Sequence, residues 1–172
     1  VPKIYTELFT NKRVLLGVPR VKMARGNYEG NILLGVFQKA DVGYMTGKGE
    51  VNVRGAKVVH ATFGSINARN YTSNLKEGDG LFIDEVHEGD LNGDKLLANV
   101  GNLIARGVKI VLMSATINPQ DFLNHFQKMG VSVGVCEISD TRPFQIDFKS
   151  TASFTDSVTN VIEDVKNGGR GL

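Results

Sequence analysis

Cysteine is almost absent from this 172-residue chain, which contains Cys136 alone. A single cysteine excludes an intramolecular disulfide and fits a reducing intracellular compartment. No run approaches the roughly 20 apolar residues of a membrane-spanning helix, and the N-terminus lacks the charged-then-apolar pattern of a secretion signal. We therefore expect a globular, cytoplasmic protein with material for one core, or for one domain and a piece of another.

The sequence also lacks the phosphate-binding loop G-x-x-x-x-G-K-[ST]. That loop supplies the backbone amides and the lysine that hold the β and γ phosphates of a nucleotide. Glycines do occur at Gly47 and Gly49, but no Lys-Ser or Lys-Thr pair follows them. This stretch is more typical of a hairpin turn than of a phosphate site.

Acidic and basic residues are unevenly distributed behind a net charge of +2. Residues 1–60 contain ten Lys or Arg and four Asp or Glu, whereas residues 77–94 contain seven acids and no Lys or Arg. A basic half suits a polyanion and an acidic loop suits a cation, although a solvated surface explains such runs equally well.

Short apolar runs alternate with helical patterns along the chain. The runs typical of buried strands are 13–18, 43–45, 57–61, 80–83 and 110–113. The segments with helical character are 21–31, 65–75, 93–105, 120–128 and 154–166. Two further strand-like stretches, 131–138 and 144–148, precede a polar linker at 149–153. This alternation predicts an α/β fold with a doubly wound parallel sheet flanked by helices.

Two adjacent carboxylates, Asp84 and Glu85, directly follow the apolar run 80–83. Ligands of open α/β sheets bind beyond the carboxyl ends of the strands. There, an Asp can hold Mg²⁺ while a neighbouring Glu deprotonates the water that attacks a γ-phosphate. A D-E-x-H string by itself is also compatible with a solvated turn.

Ser114-Ala115-Thr116 follows the next apolar run, 110–113. Hydroxyl side chains at this position could serve the same site or could cap the following helix, for which Asn118-Pro119 is a typical start. The two interpretations are compatible.

With these two motifs the chain resembles the superfamily 2 DExH-box helicases, whose motif II is DExH and whose motif III is SAT. The resemblance extends to 16–24, which is similar to their motif Ia, and to Val42-Gly43-Tyr44. It continues in 59–64, which resembles motif Ib, and in 141–146, which resembles the end of their first RecA-like domain. The string 84–94, DEVHEGDLNGD, is especially similar to viral RNA helicases.

The resemblance implies a fold, a cofactor and a set of site residues. The fold is a RecA-like sheet of the P-loop NTPase type, here without its phosphate loop, and the cofactors are ATP and Mg²⁺. Asp84 and Glu85 would be the metal and nucleotide ligands, with Glu85 also the general base. His87 would link motif II to motif III or to a second domain, although a structural histidine fits the pattern too. Ser114 and Thr116 would couple hydrolysis to strand separation.

The implied nucleic-acid path consists of Pro19, Arg20, Thr62 and Gly64. These residues would contact the phosphates of one RNA strand, so binding would tolerate sequence and depend on salt. Lys22 and Arg25 could extend this basic rim or be ordinary surface charges. Arg142 is a weaker candidate.

The resemblance further implies that residues 1–148 are a first RecA-like domain lacking motif I and that 149–172 lead into a second RecA-like domain. The leading hypothesis is a segment of an ATP-dependent RNA helicase, in a viral replication complex if the source is viral. The alternatives are a nucleic-acid-stimulated NTPase or translocase that does not unwind, and a non-catalytic RecA-like module that binds RNA or protein.

Overall fold

The protein is described by a computed structural model that covers residues 2–9, 12–116, 118–137 and 153–166. Its contacts divide the chain into two units, residues 1–133 and 134–172. The predicted boundary between 148 and 149, the strand at 144–148 and most of the linker lie outside the described residues. No helix in the described ranges is long and apolar enough to span a membrane.

A six-stranded sheet forms the centre of the first unit, in the order β3-β2-β4-β1-β5-β6. The strands are β1 (Val14–Val18), β2 (Val42–Thr46), β3 (Gly49–Val51), β4 (Val58–Thr62), β5 (Gly80–Ile83) and β6 (Lys109–Leu112). All neighbouring pairs are parallel except β2 and β3. The predicted α/β fold with a doubly wound, mostly parallel sheet is therefore confirmed.

Helices flank this sheet. The helices of the first unit are α1 (Pro2–Leu8), α2 (Val21–Leu33), α3 (Phe63–Ala68), α4 (Leu91–Ala98), α5 (Val100–Ala105) and α6 (Pro119–Lys128). The second unit contains α7 (Phe154–Lys166). The described ranges also contain three short 3₁₀ turns, at Lys39–Asp41, Tyr71–Asn74 and Val86–Glu88. The predicted helices 21–31, 120–128 and 154–166 are confirmed.

Alternate side chains of β1 enter two separate apolar clusters. Leu15 packs with Ile66 and Leu96 on the face covered by α3, α4 and α5. Leu16 packs with Ala24 of α2 on the opposite face. Both faces of a parallel sheet must be covered, which is why the strands are apolar at nearly every position.

The Gly47–Gly49 region is a hairpin turn, as predicted. Thr46 pairs with Gly49 in the antiparallel β2–β3 ladder, and the Thr46 hydroxyl donates to the Gly49 carbonyl at 3.2 Å. The Lys48 backbone amide in turn donates to the Thr46 hydroxyl at 3.2 Å. These bonds complete the polar turn of the hairpin.

Three predictions of secondary structure were wrong. The helix expected over 65–75 ends at Ala68, because Asn70 adopts a left-handed conformation with φ 46°. The helix expected over 93–105 is two helices separated at Asn99. Residues 131–137 form no strand; Val131 and Val133 instead pack against the core without a ladder. Ile138, the last residue of that expected strand, lies outside the described residues.

Candidate active site

The motif that follows β5 is held between the ends of two neighbouring strands. The Asp84 amide donates to the Gly17 carbonyl of β1 at 2.9 Å. On the other side, the Val86 amide donates to the Met113 carbonyl, just beyond β6, at 3.2 Å. The backbone of the DEVH segment is thus fixed at the carboxyl edge of the sheet, where ligands of such sheets bind.

The two carboxylates of this segment have different environments. Asp84 is half-buried and accepts a bond from the Glu85 amide at 3.0 Å. Burial raises the pKa of the Asp84 carboxyl above its ordinary value of 3.8, a shift that the Glu85 carboxylate increases and that the Glu85 amide bond opposes. Glu85 itself is in a left-handed conformation with φ 55°. Non-glycine residues in this conformation are uncommon and concentrate at functional sites.

The raised pKa of Asp84 predicts that Asp84→Asn stabilises the chain at neutral pH. Because the folded-state pKa is above the unfolded-state value, the ionised carboxylate lowers the free energy of unfolding once the pH exceeds about 3.8. An amide is neutral throughout and can still accept the Glu85 amide bond. We expect a higher melting temperature for the variant at pH 7 and no difference near pH 3.

Asp94→Asn is the matched control, since Asp94 is an exposed carboxylate in the first turn of α4. There a negative charge favours the helix, so its removal should not stabilise the chain. Equal melting temperatures for wild type and Asp84→Asn at pH 7 would contradict the proposed cost of burying Asp84.

His87 connects this segment to the turn after β6. Its Nδ1 atom lies 2.8 Å from the Ser114 hydroxyl and 3.4 Å from Glu85 Oε2. Three predicted residues, two from the DEVH motif and one from the Ser-Ala-Thr motif, therefore meet at one imidazole nitrogen.

The turn containing Ser114 and Thr116 does not cap the next helix. The Ser114 hydroxyl accepts a bond from the Thr116 amide at 3.3 Å, within its own turn. Helix α6 is capped by Asn118, whose Oδ1 accepts the Gln120 amide at 3.0 Å. The Ser/Thr capping interpretation was therefore wrong, whereas the start at Asn118-Pro119 is confirmed. Thr116 is exposed and contacts neither carboxylate through a described bond.

Arg20, predicted to contact nucleic acid, forms an ion pair with Glu88 of the DEVHE string. The guanidinium makes two bonds, from Nη2 to Oε1 at 2.8 Å and from Nε to Oε2 at 3.2 Å. Sequence reasoning missed Glu88. Opposite charges in two motifs were its only signal, and nothing in the sequence placed them face to face.

The other predicted nucleic-acid residues differ in their accessibility. Thr62 is buried: its hydroxyl accepts the Ser65 amide at 3.4 Å and donates to the Ser65 hydroxyl at 2.8 Å, so it caps α3. Gly64 and Pro19 are half-buried. The Thr62 hydroxyl is thus buried and already bonded, and the role of all these residues stays a prediction.

The basic rim at the start of α2 is partly neutralised. Arg25 pairs with Glu29 on the same helix, with 2.7 Å between Nε and Oε1. Lys22 is exposed and has no ion-pair partner in the described ranges. Arg142 lies outside the described residues.

The carboxylates of this site suit a metal ion that binds together with a nucleotide. They are less suited to a metal ion that the protein holds by itself. In the described part of the chain, no group of three or more His, Cys, Asp or Glu side chains could hold a metal ion. Mg²⁺ needs no such cage, because it takes one or two carboxylates together with substrate phosphates and retains several waters. Asp84 and Glu85 provide two carboxylates of this kind.

The sequence is similar to those of ATP-dependent RNA helicases, although no family model matches it. It is 38% identical over 89 residues to the ATP-dependent RNA helicase TDRD9 of Danio rerio, covering 49% of this chain and 7% of that protein. It is 36% identical over 78 residues to the ATP-dependent RNA helicase HrpA of Escherichia coli, covering 44% of this chain and 6% of that protein. These relatives are cellular, and they give the expected viral type no support.

The structure is similar to that of the Escherichia coli DEAH/RHA helicase HrpB, with a TM-score of 0.65 and 20% identity. The match covers 91% of this chain and 21% of that one. A second structure, the Escherichia coli DExH-box NTPase HrpB, gives a TM-score of 0.59 over 73% of this chain. This chain therefore has the RecA-like fold of the DExH and DEAH helicases and matches such proteins over a small part of their length.

Proposed function

We propose that this chain is a segment of an ATP-dependent RNA helicase of the DExH group, which couples ATP hydrolysis to unwinding. The observation that carries the proposal is the meeting of Asp84, Glu85, His87 and Ser114 at one sheet edge, next to Arg20. The names of the similar proteins support the assignment of ATP and RNA.

In this proposal the Asp84 and Glu85 carboxylates have different roles in ATP hydrolysis. Asp84 holds Mg²⁺, and Glu85 accepts a proton from the water that attacks the γ-phosphate. Bound Mg²⁺ supplies charge neutralisation on the phosphate oxygens. The left-handed backbone at Glu85 turns the chain after Asp84, so that the second carboxylate follows the first without continuing the strand.

His87 and Ser114 transmit the state of the nucleotide in this proposal. The 2.8 Å contact between Nδ1 and the hydroxyl links the turn after β5 to the turn after β6. Glu85 Oε2 also lies 3.4 Å from the same imidazole nitrogen. A movement of the Glu85 carboxylate would therefore shift His87 and its contact with Ser114. Thr116 acts in the same turn, and a second RecA-like domain of the complete protein would complete the site.

RNA would cross the same edge along the residues predicted for its path, Pro19, Arg20, Thr62 and Gly64. Contacts to phosphates fix the register of a strand without reading its bases. We further propose that residues 1–148 belong to the first RecA-like domain and that the complete protein acts in the cytoplasm.

The proposed function is tested by assays of the complete protein that contains this chain. ATP hydrolysis is measured with and without single-stranded RNA, and unwinding is measured on a duplex with a single-stranded tail. The proposal expects RNA-stimulated hydrolysis and unwinding that requires ATP. Stimulated hydrolysis without unwinding would indicate a translocase, and RNA binding without hydrolysis would indicate a binding module.

The ion pair between Arg20 and Glu88 predicts that Glu88→Gln strengthens RNA binding by the complete protein. The Arg20 guanidinium cannot give the same two bonds to Glu88 and to a phosphate, so the carboxylate competes with RNA. Exposed ion pairs contribute about 0.2–1 kcal/mol, which corresponds to an increase in affinity of up to about fivefold. Fluorescence anisotropy with a labelled single-stranded RNA measures it.

The matched control is Glu29→Gln, which removes the same charge and releases Arg25 on the same helix. A gain for Glu88→Gln that disappears in an Arg20→Gln background assigns the effect to Arg20. Equal gains for Glu88→Gln and Glu29→Gln would mean that the gain is not specific to the release of Arg20.

A further inference from the structure

A basic pocket lies on the side of the sheet covered by α3, away from the candidate active site. Its volume is about 570 Å³, within the range of pockets that hold small ligands. Four cationic side chains and one carboxylate contribute to its lining: Arg13, Arg54, Arg69, Lys76 and Glu50. We call this set the basic pocket.

The basic pocket is at a different edge from the DEVH segment. Arg13 and Lys76 precede β1 and β5, so they lie near the amino ends of these strands, whereas Asp84 follows the carboxyl end of β5. The pocket is therefore separate from the residues proposed to bind Mg²⁺ and ATP.

Hydrogen bonds across the pocket fix its walls. The Tyr71 hydroxyl donates to the Val53 carbonyl at 3.0 Å, which joins the segment after α3 to the turn after β3. Arg13 Nη2 donates to the Asn74 carbonyl at 3.3 Å, which joins the start of β1 to the same segment. The lining elements are thus held in place before any ligand arrives.

The Arg106 guanidinium also holds one of the segments that line the pocket. Arg106 donates to the carbonyls of Thr72 at 3.3 Å and Ser73 at 3.1 Å, and to that of Leu75. These three carbonyls belong to the segment that carries Tyr71 and Lys76. Such support limits the entropy lost on binding.

Left-handed residues flank the basic pocket. Three non-glycine residues in the described ranges have this conformation: Asn52, Asn70 and Glu85. Asn70 directly precedes Tyr71, and Asn52 directly precedes Val53, so two of the three position pocket walls. Asn tolerates this conformation better than most residues, and it concentrates at functional sites.

Three of the four cations of the basic pocket form no ion pair in the described residues. Arg69 forms an ion pair with Glu50, and both side chains are exposed. Arg13 donates to a backbone carbonyl, and Arg54 and Lys76 have no side-chain partner in the part of the chain that the structure describes. The buried Asp79 carboxylate lies close by and accepts the backbone amides of Arg13 at 3.0 Å and Lys76 at 2.9 Å. Three cations therefore line the pocket without an ion-pair partner of their own in the described residues, beside one buried carboxylate.

We propose that the basic pocket binds phosphoryl groups, supplied by the backbone of a single-stranded polynucleotide or by a free nucleotide. Arginine provides a planar fork that matches phosphate oxygens, and three of the four cations are Arg. Tyr71 adds a partly exposed ring beside them, as in pockets where a base stacks on an aromatic side chain. Aliphatic surface for an acidic peptide is limited to Met45 and Val53. This inference does not depend on the proposed ATPase site.

The test uses the 172-residue chain and the double variant Arg54→Gln/Lys76→Gln. Both side chains are exposed and unpaired, so their loss should not alter folding, which a thermal melt verifies. Binding is measured for a labelled 12-nucleotide single-stranded RNA, for AMP and for inorganic pyrophosphate. The control double variant Lys48→Gln/Lys95→Gln removes the same charge from exposed positions outside the pocket.

We expect the pocket variant to bind RNA about tenfold more weakly or worse, and the control pair to match wild type. A plot of log affinity against log salt concentration has a negative slope, and the magnitude of this slope should decrease by about 1.4, the value for two lost phosphate contacts on a single strand. Parallel losses for AMP and pyrophosphate would identify a free nucleotide as a ligand. A loss confined to RNA would identify the polynucleotide backbone.

Three results would overturn the proposal. One is an equal loss in the pocket and control variants, which would indicate general charge attraction. Another is no binding of RNA, AMP or pyrophosphate by the wild-type chain at millimolar concentration. The third combines two observations: poly-glutamate displaces RNA from the wild-type chain but not from the pocket variant, and the wild-type chain binds neither AMP nor pyrophosphate. That combination would indicate an acidic protein partner.

Discussion

Glu85→Gln is expected to lower ATP turnover by the complete protein by about 10²- to 10⁴-fold, the range for a lost general base. The amide has the shape of the carboxylate but cannot accept a proton from the attacking water. Nucleotide binding should change little. Steady-state hydrolysis at saturating RNA measures the first effect, and calorimetric titration with Mg-ATP measures the second.

A structural role for Glu85 predicts a different outcome. Its carboxylate lies 3.4 Å from His87 Nδ1, so the substitution could alter the turn rather than the chemistry. In that case hydrolysis and the melting temperature would fall together. Glu29→Gln, an acidic-to-amide change on α2, provides the control for loss of charge. Near-normal hydrolysis by Glu85→Gln would show that another group is the base.

Gly43→Ala is expected to destabilise the fold by about 1–3 kcal/mol, the typical cost of overpacking a core. A methyl group on Gly43 of β2 would lie 2.7 Å from the Asn52 carbonyl oxygen and 2.8 Å from that of Val51. Both atoms are backbone and cannot rotate away. The Asn52 side chain fixes them further, since its amide donates to the Ala40 and Val42 carbonyls at 2.7 and 3.2 Å.

Gly47→Ala is the matched control, because nothing lies within 4 Å of a methyl group at that position in the hairpin turn. Its effect on the free energy of unfolding should stay within about 0.5 kcal/mol of zero, or be slightly stabilising. Urea unfolding of both variants measures the difference. Equal destabilisation by the two substitutions would reject the crowding at Gly43.

The strands were predictable because a strand buried on both faces is a short run of consecutive apolar residues, which is visible in the sequence. Strands β1 and β5 are fully buried along their lengths, and every position in them is apolar or glycine. The hairpin at Gly47 was equally local. Strand β3 itself was not predicted, since three residues with two exposed side chains carry no clear pattern.

The helices were less predictable where polar side chains offer the backbone an alternative. The segment after Ala68 is rich in Asn, Ser and Thr, which bond to nearby backbone and favour turns. The Ser73 hydroxyl, for example, donates to the Asn70 carbonyl at 2.8 Å. At Asn99, the amide bonds to the Leu96 carbonyl at 3.1 Å, three residues back, and the helix is interrupted there.

The contacts within the candidate site could not be predicted from motifs alone. Each motif indicated a residue type and a place on a strand end, and strand order then decided which of them met. The pairing of β5 with both β1 and β6 brings Arg20 to Glu88 and His87 to Ser114. Neither distance follows from spacing along the chain.

The central position of β1 has a consequence for the order of folding. Val14 pairs with Val58 on one side and with Gly80 on the other, so both partners of β1 are synthesised well after it. Contacts so distant in sequence raise the contact order, and parallel sheets of this kind fold slowly. Until β4 and β5 emerge, β1 is an apolar strand with two open edges, which is the form of a chain most prone to aggregate and most suited to chaperone binding.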